Sequence, residues 1–207
     1  MGLWQLIRVG GFTMVILLAA SVLSIAIILE RLIYYRAKSR LKRKDFMSKI
    51  KQEVRAGNLN QALKLCLAAN APFVNVVYAG LSFHNCSEKE ISNNMDRQVV
   101  IETTILERFT AVIGTTSSVS VYIGLAGTVL GIMRAFNDIS LSGSSGISVV
   151  INGISEALVT TVAGLAVAVP AVIAYNYFMN KIDVFTRDME LAASETMDLL
   201  NGLKNEG

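Results

Sequence analysis

Proline is scarce in this chain, with two in 207 residues, alongside two cysteines, one histidine and one tryptophan. So few prolines remove the usual interruptions of helix. With Ala, Leu, Ile and Val dominant, long uninterrupted helices are favoured over a many-stranded barrel. The lone His84, and a spacing of Cys66 and Cys86 unlike that of a zinc site, leave no metal, disulfide or catalytic thiol to assign. In a reducing compartment both cysteines read as small apolar fillers. Charge is thin as well: 17% of residues are charged against 53% hydrophobic, and the mean hydropathy is +0.50. A soluble domain of this size is less apolar, so lipid must solvate part of the molecule. A phosphate-binding glycine loop, a nucleophile beside a base and an internal repeat are all missing, so the sequence points away from an enzyme, and no cofactor is expected.

What charge there is, is unevenly placed. Ten of the nineteen Lys and Arg residues fall between Arg31 and Arg55, opposed only by Asp45 and Glu53. Because this run abuts an apolar segment, lipid head groups and membrane topology explain it more simply than nucleic acid does. Residues 12–29 contain no charge over 18 positions, about what a helix needs to cross the hydrocarbon core. Only Arg8 precedes this run and the cluster of cations follows it, which predicts a retained anchor with its N-terminus outside and not a cleaved signal peptide. Ahead of it, Leu3, Trp4, Leu6, Ile7 and Val9 predict a short helix lying on the outer face.

The next stretch is polar and reads as helices, with a break at Gly57 and Asn58, a helix over 59–69, and another opening at Pro72. Ser87 and Glu90 fit a capping box. From there apolar positions at Ile91, Met95, Val99, Leu106, Phe109 and Ile113 keep helical spacing with no proline. They predict one helix over 88–136, 49 residues or roughly 70 Å, that includes the second span. A short polar turn precedes a third apolar run, over 149–175, whose only charged residue is Glu156. Beyond it Ile182, Phe185, Met189, Ala192, Leu199 and Leu203 extend the same periodicity, so this helix is expected to run beside the extension of the second.

The expected fold is therefore an all-α membrane protein with three transmembrane helices, the second and third continuing as long helices into a cytoplasmic bundle. Its parts are an outer-face amphipathic segment at 1–11, transmembrane helix 1 at 12–35, a cytoplasmic helical region at 36–110 and transmembrane helix 2 at 111–136. A short outer loop at 137–148, transmembrane helix 3 at 149–180 and a cytoplasmic C-terminal helix at 181–207 complete it. The bias of Lys and Arg places the N-terminus outside and the C-terminus in the cytoplasm.

The later spans are polar for lipid-facing helices, holding Thr115, Thr116, Ser117, Ser118, Ser120 and Thr128 in one and Glu156, Thr160 and Thr161 in the other. Such faces belong against protein or water. Gly124, Gly127 and Gly131 provide a small-residue face on which backbones can approach closely. Glu156 is the strongest functional candidate, because an ionisable group near a span centre costs on the order of 2.5–3.5 kcal/mol on insertion scales unless a cavity or partner offsets it. The alternative is a protonated packing residue or interhelical hydrogen-bond donor. At about 100° per residue Glu156, Thr160 and Ala163 share a face while Thr161 lies some 140° from Glu156. The threonine hydroxyls can relay a proton or coordinate a cation, or simply bond their own helix carbonyls. Pro170 removes the hydrogen bond to the Ala166 carbonyl and predicts a kink.

Two strings carry more than periodicity: IGLAGTVLGIM at 123–133 and GISEALVTTVAGL at 153–165, the latter running on to VPAV at 169–172. With ERLIYY at 30–35 they closely resemble the MotA/TolQ/ExbB family. The three-span, N-out plan of that family covers essentially the whole chain and is of the ExbB/TolQ rather than the four-span flagellar kind. The resemblance implies a homopentamer around a pore, holding two copies of a small single-span partner of ExbD or TolR type that carries the pore aspartate. It also implies ion passage between that aspartate and polar groups of the ring, in a bacterial inner membrane, driving work on an envelope partner such as a TonB- or TolA-like protein. Matched motif by motif, the family's functional positions fall on Thr128, Glu156, Thr161 and Pro170, and Thr160 stands where members often carry alanine. A proton is expected over sodium as coupling ion. A passive ion channel or a membrane scaffold is the competing reading.

Overall fold

Three helices of the chain are long and apolar enough to cross a membrane, and they carry the architecture. The computed structural model describes residues 3–142 and 147–206, and among them every regular element is an α-helix. These are α1 (Leu3–Lys38), α2 (Arg43–Arg55), α3 (Leu59–Ala68), α4 (Pro72–Ser82), α5 (Glu88–Glu107), α6 (Thr110–Ser142) and α7 (Ile147–Glu206). They divide into two compact units, one of Met1–Glu30 with Phe109–Tyr177 and one of Arg31–Arg108 with Phe178–Gly207. The molecule is an all-helical, multi-pass membrane protein.

In the first unit the usual segregation of apolar side chains is inverted. Phe12, Val22, Tyr122, Met133 and Ile173 point outward, whereas Ala135, Ala157, Ala168, Ala171, Gly124 and Gly164 are buried between helices. Lipid solvates large apolar side chains as well as protein does, so close backbone approach, not hydrophobic burial, decides this packing. α1 is interrupted at Gly11, whose φ of 56° and ψ of −143° suit a residue without a Cβ. That interruption falls where the outer segment was expected to meet the first span.

The second unit has an ordinary core, and local sequence signals set its helix ends. Gly57 takes a φ of 75° just past the end of α2, Pro72 occupies the first turn of α4, and α5 opens on a complete capping box. In that box the Glu90 amide donates to Ser87 Oγ at 3.4 Å and the Ser87 amide donates to Glu90 Oε2 at 3.0 Å. The Ser87 hydroxyl also donates to Glu90 Oε2 at 2.8 Å, and this hydroxyl, with the Ser87 amide, stabilises the charged carboxylate and holds Glu90 below the usual carboxylate range. Phe46, Ile50 and Val54 of α2 are buried, as are Phe73, Val74 and Leu81 of α4, Ile91, Met95 and Leu106 of α5, and Phe178, Ile182 and Met189 of α7. A Cβ added at Gly80 would lie 2.6 Å from Met95 Sδ and 2.9 Å from Thr196 Cγ2, so α4 approaches both α5 and α7 at a point where only glycine fits. Cys66 is buried here as the filler expected, and burial pushes its thiol up to about 12.

Two expectations are corrected. The single helix over 88–136 is two helices, because Arg108 and Phe109 leave helical geometry and Phe109 adopts a φ of 66°. A left-handed non-glycine residue costs about 1–2 kcal/mol, and here side chains of α1 take up the carbonyls freed by the break. Tyr35 donates its hydroxyl to the Leu106 carbonyl at 2.7 Å, and Arg31 donates to that of Ile105 at 3.4 Å. Next, α6 continues to Ser142, past the expected span end at 136 and into the expected loop. At Pro170, where the sequence predicts a kink, the residues of α7 on either side remain helical. Pro170 and Ala166, whose carbonyl loses its partner, both lie at exposed positions, so the lost bond is not trapped inside the bundle.

Candidate ion pathway

Glycine brings α6 and α7 together within the first unit. A Cβ added at Gly164 would lie 2.6 Å from the Ser120 carbonyl oxygen and 3.0 Å from Gly124 Cα, so the two backbones are in near contact there. Gly124 is blocked by the Thr160 carbonyl at 3.0 Å and Gly131 by Ala157 Cβ at 2.7 Å, while Gly153 sits against Ala135 in the same way. The small-residue face read from Gly124, Gly127 and Gly131 is thus one half of the seam, and Gly153, Ala157 and Gly164 of α7 are the other.

Where the backbones come closest, three hydroxyls gather. Thr128 and Thr161 hydrogen-bond to each other across the helix pair. The Gly124 carbonyl lies 3.1 Å from Thr128 Oγ1, 3.3 Å from Thr161 Oγ1 and 3.3 Å from Thr160 Oγ1. The Ala157 carbonyl accepts from Thr160 at 2.7 Å and lies 3.3 Å from Thr128 Oγ1. Each hydroxyl has one proton to give. Thr160 spends its proton on Ala157. Either Thr128 or Thr161 donates to the other, and the second then donates to Gly124. The network therefore closes in two proton orderings that use the same heavy-atom positions, which is the property a relay requires.

A third helix reaches this point. A Cβ added at Gly127 would lie 2.6 Å from Thr160 Oγ1 and 2.9 Å from Thr13 Oγ1, so Thr13 of α1 stands beside the threonine group. Sequence reasoning singled out neither Thr13 nor Gly164, since both matter through contacts between helices. Ser120 was noted only as one of several polar residues; it is 1% exposed, and its hydroxyl has no hydrogen-bond partner among the described residues.

Glu156 stands apart from this group. It is exposed on α7 and has no hydrogen-bond or ion-pair partner among the described residues, whereas Thr160 is only 2% exposed. Helical geometry explains the separation: both Thr160 and Thr161 turn toward α6, and the direction midway between them lies about 90° from Glu156. The structure thus joins Thr128, Thr160 and Thr161, places Glu156 on the flank of the seam, and leaves Pro170 on an exposed face of α7.

A glycine-packed pair of long membrane helices enclosing a hydroxyl cluster defines a polytopic membrane protein with a polar seam inside the bilayer. Residues 68–191 match the model of the MotA/TolQ/ExbB proton channel family, and the chain belongs to that family. It is 30% identical to a Synechocystis protein named ExbB-like 3 over 90% of this chain and 88% of that one. It is 35% identical to the biopolymer transport protein ExbB of Neisseria gonorrhoeae over 67% of this chain and 69% of that one. With the ExbB of Salmonella typhimurium it shares 30% identity over 89% of this chain and 78% of the relative. Those relatives support a role for this chain in an ExbB-type energy-transducing complex.

Proposed function

We propose that this chain is the ring subunit of an inner-membrane motor that conducts protons and couples the ion-motive force to work on envelope partners of TonB-ExbB-ExbD or Tol-Pal type. The observation that carries the reading is the joined hydroxyls of Thr128, Thr160 and Thr161 at the tightest point of the α6–α7 seam. Five copies form the ring in this reading, with two copies of a small single-span subunit of ExbD or TolR type in its pore. The N-terminus lies outside and the C-terminus in the cytoplasm, as the cations past the first span favour.

Protons suit the seam better than sodium, because its oxygens are already engaged with one another and a hydroxyl chain can pass a proton without opening. Thr128 and Thr161 form the path and Glu156 shapes the field along its flank. Each elementary charge crossing 100 mV releases about 2.3 kcal/mol, so several charges per cycle suffice to move a packed interface. The test is proton flux into vesicles holding this chain and its single-span partner, in sodium-free buffer. Thr161→Val is expected to lower flux at least tenfold and Glu156→Gln to lower it severalfold. Unchanged flux in both variants would defeat the assignment. Flux from this chain alone, equal to that with the partner, would point to a passive channel instead.

A further inference from the structure

The second unit carries a groove of about 500 Å³ at the corner where α1 turns into α2, walled on its other side by α7. That volume lies within the range of small-molecule sites, about 300–1,000 Å³. Lys38, Lys42 and Lys44 line it from the corner and Lys181 from α7, while Phe73, Val184 and Phe185 supply apolar surface. The lining has a strong excess of positive charge, since Arg43 and these four lysines face only Asp45 and Asp188. Asp188 is already committed to Arg43, as is Glu195 nearby. The side chains of Lys42, Lys44 and Lys181, by contrast, have no hydrogen-bond or ion-pair partner among the described residues. The first turn of α2 also borders the groove, and the residue ahead of it offers no side-chain cap, so the positive end of that helix adds to the field.

Chain position ties this groove to the membrane surface. Lys38 comes three residues after Tyr35 in α1, and Lys181 four residues after Tyr177 in α7. At 1.5 Å per residue these lysines lie only about 4.5 and 6 Å past the tyrosines near the ends of the expected spans, 12–35 and 149–180. That is head-group depth, where anionic lipids draw cations. Cations uncommitted to any carboxylate, at the depth where lipid phosphates lie, fit the anionic head group of a membrane lipid.

We propose that this groove binds the phosphate head group of an anionic phospholipid, with Lys42, Lys44 and Lys181 contacting the phosphate while the acyl chains stay in the bilayer. The site does not depend on the ion-pathway reading, and its failure would leave that reading untouched.

The full-length protein in mild non-ionic detergent is titrated with short-chain phosphatidylglycerol, with short-chain phosphatidylcholine and with inorganic phosphate, and its thermal transition is followed. Phosphatidylglycerol is expected to raise the transition at concentrations at least tenfold below those of phosphatidylcholine, with no response to inorganic phosphate. Lys42→Gln with Lys181→Gln is expected to raise the phosphatidylglycerol requirement at least tenfold. Arg36→Gln with Arg40→Gln, which removes the same charge outside the groove, is expected to change it less than twofold. Should the double lysine variant melt abnormally without lipid, Lys44→Gln is used in its place with a smaller, severalfold effect expected. Unaltered lipid response in the lysine variants, an equal loss in the arginine pair, or saturation by inorganic phosphate in place of lipid would each overturn the proposal.

Discussion

Gly164 shows how much one residue without a side chain controls. Its position is fixed by the Ser120 carbonyl and Gly124 Cα across the seam, at 2.6 and 3.0 Å from where a Cβ would stand, and both obstacles are backbone that cannot rotate away. A larger side chain must push α6 from α7 and so open the Thr128–Thr161 hydrogen bond, which spans the same helix pair. Gly164→Val is therefore expected to destabilise the protein by about 2 kcal/mol, within the range for overpacking a well-fitted interior. Thermal unfolding of the detergent-solubilised chain reads the loss, and a transition within a degree of the parent would refute the close contact. The sequence signalled the glycines of α6, because they repeat within one helix. It could not show that Gly164 answers Gly124, since that pairing is a fact about two helices.

Helix ends were legible wherever a local rule governs them. Gly57, Pro72 and the Ser87–Glu90 box each act within four residues of the chain, and the ends of α2, α4 and α5 follow them. The break between α5 and α6 obeys no such rule, since neither glycine nor proline marks it and the apolar spacing runs straight through. The partner of a carbonyl at the break lies 71 residues away, where Tyr35 donates to Leu106 from a buried position. Tyr35→Phe keeps the ring that packs edge-on against Phe178 at 5.4 Å and deletes only the donor. Leaving a buried acceptor unsatisfied costs about 1–3 kcal/mol, so this variant is expected to lower the unfolding midpoint by several degrees. Faster amide exchange across 105–110 should accompany the drop. A midpoint and exchange pattern identical to the parent would mean that the break does not depend on this bond.

At the scale of the whole molecule, the outward faces of the first unit differ in kind. α1 presents Val22 at 69% exposure and Leu23 at 52%, surfaces at home in lipid. α7 presents Glu156, whose exposure to hydrocarbon as an ion would cost on the order of 2.5–3.5 kcal/mol, so a charged Glu156 on that flank requires water or another polar surface. Hydropathy gave the three spans without difficulty, because each exceeds the length and apolarity a bilayer demands, but it cannot say which faces meet lipid. Cysteine accessibility can. In a chain carrying Cys66→Ala and Cys86→Ser, assembled in native membranes with its partner, Glu156→Cys is expected to react with a charged, water-soluble thiol reagent. The rate should be at least tenfold above that of Val22→Cys, because only the thiolate reacts and it forms only where water solvates it. Equal, slow labelling of both positions would place Glu156 in a dry contact, and its role would then be to join helices or subunits rather than to border an ion path.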